Sequence, residues 1–179
     1  MKPCYFPLLL ILTFQSIAAT NDLIQQTCKK CARTDPNISY NFCLTSLQAS
    51  PHCQCADLRD LGTISIKLTR HNVTSTRRYI KGLLNKKKLN PDLKACLDDC
   101  LALYSDAIPS LKQAIKDYKS SRFADANIQL SSVIDASTTC TDGFTDKGVV
   151  SPLKARNNHT FQLAAISLSI INLLHCSAS

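Results

Sequence analysis

The chain has 179 residues, enough for one domain with a substantial core. It contains no tryptophan, only four glycines and a formal net charge of +8, and every one of its thirteen acidic residues is aspartate. Absence of glutamate excludes a His-Glu-x-x-His metalloprotease helix, and scarcity of glycine and of alternating apolar runs points to an all-α fold rather than a strand-rich one.

The N-terminus predicts a secretory signal peptide over residues 1–19. Lys2 supplies the positive charge, Leu8 to Phe14 the apolar run, and Ser16-Ile17-Ala18-Ala19-Thr20 the small residues for cleavage. The apolar run is far short of the ~20 residues of a membrane anchor. Cleavage removes Lys2 and Cys4, leaving nine of the ten cysteines and a formal charge of +7, on one mature domain over 20–179. Export places that domain where disulfides persist. Three sequons fit the same route: Asn37-Ile38-Ser39, Asn72-Val73-Thr74 and Asn158-His159-Thr160.

Next comes a small helical hairpin. Asp22 to Arg33 and Ile38 to Ala49 read as short helices about an Asp35-Pro36 turn, since the residue before proline is pushed out of the α region and proline presets φ. Cys28 and Cys43 are equidistant from that turn and should face each other. Ser50-Pro51-His52-Cys53-Gln54-Cys55 reads as a loop. Asp57 can cap a third helix, roughly Leu58 to Asn85, with an inward stripe of Ile66, Thr69, Val73, Thr76, Ile80 and Leu83. Gly62 is expected to cost that helix up to ~1 kcal/mol. Lys86-Lys87-Lys88 suits its C-terminal dipole.

Asn90-Pro91 opens a longer hairpin. Its first arm repeats apolar residues at Leu93, Leu97, Cys100, Tyr104, Ala107, Leu111, Ile115 and Tyr118, with Pro109 predicting a kink. Its second arm carries Phe123, Ala126, Leu130, Val133, Ser137 and Cys140, and the break is Lys119-Ser120-Ser121-Arg122. Cys100 lies twenty residues before Ser120 and Cys140 twenty after it. At ~1.5 Å per residue both sit ~30 Å from the turn, level on facing stripes and placed to bond. Thr141 to Ser151, with Gly143 and Gly148, reads as a loop. Ser151-Pro152 starts a last helix with a bend or restart near Asn157-Asn158. Phe161 to Leu174 is apolar nearly all round and, too short to span a bilayer, fits the buried helix of a bundle. The expected architecture is an up-and-down four-helix bundle with an N-terminal helical hairpin, stapled by Cys28–Cys43 and Cys100–Cys140. A local Cys28–Cys31 bridge is the competitor.

Thr27-Cys28-Lys29-Lys30, Tyr40-Asn41-Phe42-Cys43, Asp99-Cys100-Leu101-Ala102-Leu103-Tyr104 and Thr139-Cys140-Thr141-Asp142-Gly143-Phe144 resemble the four cysteine blocks of the plant invertase and pectin methylesterase inhibitors. Val150-Ser151-Pro152 and the run Gln162 to Ile170 fit as well. The resemblance implies a secreted, apoplastic or cell-wall protein that binds one-to-one over the cleft of a carbohydrate-modifying enzyme. It implies no cofactor. Some invertase inhibitors of the family insert a Pro-Lys-Phe segment into the sucrose site; this chain has no such tripeptide, which favours pectin methylesterase over acid invertase as the target. Cys31, Cys53, Cys55, Cys96 and Cys176 depart from the family pattern.

Other chemistries are weaker. Cys28-x-x-Cys31, Cys53-x-Cys55 and Cys96-x-x-x-Cys100 have zinc-like spacings, but in a secreted chain with level cysteine partners elsewhere no metal is expected, and the pairing of Cys31, Cys53, Cys55, Cys96 and Cys176 stays open. Asp98-Asp99 reads as solvated acids near a helix start rather than an acid–base pair. No Gly-x-Ser-x-Gly elbow or phosphate loop occurs, so the protein is not expected to be an enzyme. Arg70, Arg77, Arg78, Lys81 and Lys86 to Lys88 make one end basic. Without interleaved aromatics this is no nucleic-acid surface, though it suits a weak, salt-sensitive attraction to polyanionic pectin. A lipid carrier or a four-helix signalling ligand are the non-inhibitory alternatives. The secreted protein is expected to begin near Thr20 and to lose mass on glycosidase treatment. N-terminal sequencing and mass spectrometry check both, and a mature protein that keeps Lys2 and carries no sugar contradicts the leader.

Overall fold

The structure, a computed structural model, describes residues 21–50, 57–86 and 88–177. The expected leader with its cleavage site, and Cys53 and Cys55 of the expected loop, lie outside these residues, as does the side chain of Cys176. The described residues form six helices and no strand: α1 (residues 21–34), α2 (Tyr40–Gln48), α3 (Leu58–Leu84), α4 (Pro91–Lys119), α5 (Phe123–Asp146) and α6 (Lys154–Ser177). α3 packs on α4, α4 on α5, α5 on α6 and α6 back on α3, which closes an up-and-down four-helix bundle. The α1–α2 hairpin rests on α3 and α6 through a second apolar cluster, where Ile24, Cys28, Cys31, Ile38, Cys43 and Leu47 meet Leu61, Ile64, Ile166 and Ile170.

The helix starts follow the expected chemistry. The Asp57 side chain accepts from the Asp60 backbone N–H, and Asn90 accepts from Asp92 and Leu93 with proline at the first helical position. The α1–α2 turn is built by Asp35, whose Oδ1 accepts from the Asn37 backbone at 2.9 Å and from the Asn37 side-chain amide at 3.0 Å. α4 runs unbroken through Pro109.

Two boundaries differ from expectation. α5 does not stop at Cys140 but runs on to Asp146. Phe144 lies one turn past Cys140 on the same stripe and is 1% exposed, so six more residues are held by burial. The helix then ends in a Schellman turn: Val149 N–H donates to Phe144 O at 2.9 Å, Gly148 N–H to Thr145 O at 3.0 Å, and Gly148 takes the left-handed φ of 61°. Gly143 sits inside the helix without breaking it. α6 begins at Lys154 and passes through Asn157-Asn158 without a restart, and Asn157 points into the bundle and is hydrogen-bonded there.

Gly62 has a packing reason. A Cβ at this position would lie 2.0 Å from Tyr118 Oη and 3.1 Å from Ile170 Cγ2. The missing side chain lets the buried Tyr118 ring cross onto α3, where its hydroxyl donates to Arg59 O at 3.0 Å. On the same helix, Thr76 Oγ1 is buried with no hydrogen-bond partner. Gly62→Ala should therefore lower stability by ~1–3 kcal/mol despite better helix propensity. Thr76→Val should raise it by about 1 kcal/mol, by removing an unpaired polar atom at nearly constant shape. Thermal or urea unfolding of the two variants checks both signs.

Candidate functional site

Both staples form between level cysteines. Cys28 and Cys43 join α1 to α2 with Cα atoms 5.7 Å apart, and Cys100 and Cys140 join α4 to α5 with Cα atoms 5.0 Å apart. The competing Cys28–Cys31 bridge does not form, because Cys31, one turn along α1, is turned onto Ser169 of α6. Burial pushes the Cys31 thiol pKa up, against a smaller lowering by the Ser169 hydrogen bond. Cys96 is also free and buried; its Sγ lies 3.3 Å from Gly143 O, level with the end of α5 as the hairpin register requires. On the chain-entropy argument the shorter loop gains ~3 kcal/mol and the longer ~4 kcal/mol.

The far end of the α4–α5 hairpin is closed by charge. Ser121 takes a left-handed φ of 59° while Arg122 N–H donates back to Asp117 O at 2.8 Å. The buried Asp117 carboxylate accepts from the Arg122 guanidinium and from Gln113 Nε2. This pairing answers the burial of an acid that the sequence reading had not singled out.

Beside the Cys100–Cys140 bridge, a polar network joins all four bundle helices. Tyr104 Oη on α4 donates to Asn157 Oδ1 on α6 at 2.8 Å, and Asn157 Nδ2 donates to Thr141 Oγ1 on α5 at 3.0 Å. Thr160 Oγ1 on α6 lies 3.1 Å from Tyr104 Oη and donates to Asn72 Oδ1 on α3 at 2.7 Å. Burial pushes the Tyr104 pKa up to about 12. The phenol thus stays protonated in the fold across pH ~10–12, where an unfolded tyrosine ionises, and the stability it contributes is lost as pH rises through that window. A polar clamp also seats the small hairpin: Gln162 Oε1 accepts from Ser39 N–H at 2.9 Å, and Gln162 Nε2 donates to Asn37 O.

The three sequon asparagines differ. Asn37 and Asn158 are exposed, whereas Asn72 is half-buried and engaged with Thr160. His159 packs at a tilt against Phe42 and His175 lies edge-on to Phe123, while His71 is exposed. Asp98 is paired with Lys94 at 2.6 Å on the surface of α4, as solvated acids are. Among the described residues no group of three His, Cys or Asp could hold a metal ion. What this arrangement can do is present rigid helix faces at fixed spacing, with its polar chemistry spent on internal registration. Peptide mapping after thiol blocking should return Cys28–Cys43 and Cys100–Cys140. Cys31 and Cys96 should label only in denaturant, and Cys140 joined to any other cysteine would overturn the pairing.

The family profile described as "Plant invertase/pectin methylesterase inhibitor" matches residues 22–170. The "Putative invertase inhibitor" of Platanus acerifolia is 44% identical over 172 residues, covering 96% of this chain and 95% of that protein. "Pectinesterase inhibitor 12" of Arabidopsis thaliana is 31% identical, covering 91% of this chain and 94% of that protein. The fold is shared with a crystal structure of a mutant form of a pectin methylesterase inhibitor from Arabidopsis, at a TM-score of 0.68 and 24% identity, over 82% of this chain and 93% of that one. With its cysteine blocks bridged as two level pairs on a four-helix bundle, the chain belongs to the plant invertase/pectin methylesterase inhibitor family, a family of enzyme inhibitors rather than enzymes.

Proposed function

We propose that this protein is secreted to the cell wall and there inhibits a pectin methylesterase, binding one-to-one over its active-site cleft. The observation that carries the target class is the family match across nearly the whole mature chain. A bundle with one bridge of its own, a second in the hairpin that rests on it, and internal hydrogen bonds loses little conformational freedom on docking, which is what a tight, non-catalytic binder needs. The absence of a Pro-Lys-Phe tripeptide favours pectin methylesterase as the particular target. Extracellular placement rests on the leader, and no described helix is long and apolar enough to cross a membrane. Glycans are proposed at Asn37 and Asn158, with the half-buried Asn72 left bare. The basic side of α3 adds a weak, salt-sensitive attraction to pectin.

A second reading has its own support. The Platanus relative is named as an invertase inhibitor, so acid invertase is the alternative target. A lipid carrier would need a lined cavity along the bundle axis, where Tyr104, Tyr118 and Phe144 pack instead. Two parallel assays on the purified protein decide the target. Stoichiometric, reversible inhibition of pectin methylesterase is expected, with no hydrolysis of pectin or sucrose by the protein alone. Inhibition of acid invertase only would move the assignment to the second target, and hydrolytic activity of its own would remove both.

A further inference from the structure

The charge of this protein is segregated along the chain. Between Asp60 and Asp92 stand eight Lys and Arg residues and no acid, which leaves thirteen basic residues against thirteen aspartates elsewhere. The entire formal charge of +8 therefore comes from α3 and the short segment after it. Within α3 the buried positions Ile66, Thr69, Val73, Thr76 and Ile80 form one face, while Lys67, Arg70, His71, Arg78 and Lys81 are exposed on the opposite one. From Lys67 to Lys81 this row extends ~21 Å.

The row is not neutralised by its neighbours. The ion pairs among the described residues involve Lys94 and Arg122 and none of these side chains. On the adjacent α4, Asp98 is taken by Lys94, and Arg77, at the edge of the row, donates to Ser105 Oγ rather than to a carboxylate. From α6, Arg156 adds a further cation beside the row: its guanidinium lies 4.2 Å from the Tyr79 ring centroid, which holds it alongside α3. An ordinary solvated helix face intersperses acids at i±4, as Lys94 and Asp98 do on α4. A long row of like charge without them raises the local potential and draws a polyanion.

The kind of polyanion follows from what else the face carries. Tyr79 is the one large apolar side chain exposed on α3, a single ring with the Arg156 guanidinium over it, so there is no succession of aromatic platforms for nucleobases and no apolar stripe to enter a lipid surface. A linear polyuronate needs neither, since it offers a carboxylate on each sugar and fits a straight row of cations. Hydrolysis of a pectin methyl ester by water releases methanol and leaves that carboxylate and a proton. We propose that the exposed face of α3, through Lys67, Arg70, Arg78 and Lys81 with Arg156 at its side, binds de-esterified polyuronate, the product of the enzyme class inhibited. This identification of the partner rests on the proposed pectin methylesterase function. It retains the inhibitor where esterase action has already exposed charge.

The test uses the mature protein with no enzyme present. Retention is measured on immobilised polygalacturonate, on highly methyl-esterified pectin, on single-stranded DNA and on anionic phospholipid vesicles, at about 0.05 M and about 0.5 M salt. Retention on polygalacturonate at low salt, lost at high salt and about ten-fold weaker on the esterified polymer, is expected. Arg70→Gln/Arg78→Gln/Lys81→Gln should weaken retention about ten-fold, whereas Lys112→Gln/Lys116→Gln/Lys147→Gln, exposed substitutions away from α3 with the same loss of charge, should leave it near the parent. Circular dichroism verifies both folds; should the α3 triple lose helix, Arg78→Gln alone carries the comparison. An equal fall in both triples, equal retention on esterified pectin, or tighter binding to DNA or vesicles overturns the proposal. Inhibition assayed separately on a soluble substrate keeps the two questions apart: lost inhibition with intact retention counts only against the proposed function.

Discussion

The α4–α5 hairpin is held at both ends, and the rest of the bundle is assembled on it. At one end the Cys100–Cys140 bridge fixes two helices level with each other. At the other, the Asp117–Arg122 pair and the left-handed Ser121 close the turn. Between these points neither helix can slide by a turn without breaking one end. That fixed register presents one continuous apolar surface, from Cys96 and Phe144 at the bridge to Tyr118 at the turn, and α3 and α6 bury their own stripes against it. A hydrophobic core alone tolerates slippage, because one apolar contact replaces another at small cost. The bridge and the ion pair of the buried Asp117 carboxylate do not.

The second level of registration is polar. α6 is apolar enough to pack in several rotations, and its few polar residues select one. Asn157 and Thr160 reach Tyr104, Thr141 and Asn72 on the other three bundle helices, Ser167 lies 3.4 Å from Thr69 Oγ1, and Gln162 satisfies the backbone of the α1–α2 turn. Each of these α6 side chains is buried, and each would be costly to leave unpaired. A wrong rotation of α6 would orphan several at once. Residues that look like interruptions in an apolar helix are thus what makes its packing unique.

For function, the consequence is a rigid body with outward faces of different character. α5 carries four aspartates and no Lys or Arg, α4 mixes five aspartates, the buried Asp117 among them, with four lysines, and α3 carries a basic row. An inhibitor works by presenting such faces without rearranging, and the internal pins serve that purpose. Two faces of opposite charge on one scaffold also allow contact with an enzyme and with the polymer around it to occur on separate surfaces.

Much of this was determined by the sequence alone. The all-α class, the two hairpins and both level cysteine pairs follow from spacing, since helix rise and the position of a turn set which residues are opposite. The cysteine blocks carried the family. Other features depended on tertiary structure. The extension of α5 past Cys140 was hidden because Gly143 resembles a stop, and only burial of Phe144 shows why the helix continues. Gly62 had a propensity cost in the sequence and a reason only once Tyr118 was seen to cross over it. Asn157-Asn158 resembled a break until Asn157 was found bonded to Tyr104 and Thr141. Local patterns encode period and turn chemistry, which are properties of neighbours in sequence. Which polar atom meets which partner across a bundle depends on the relative rotation of helices far apart in the chain, and only packing decides that.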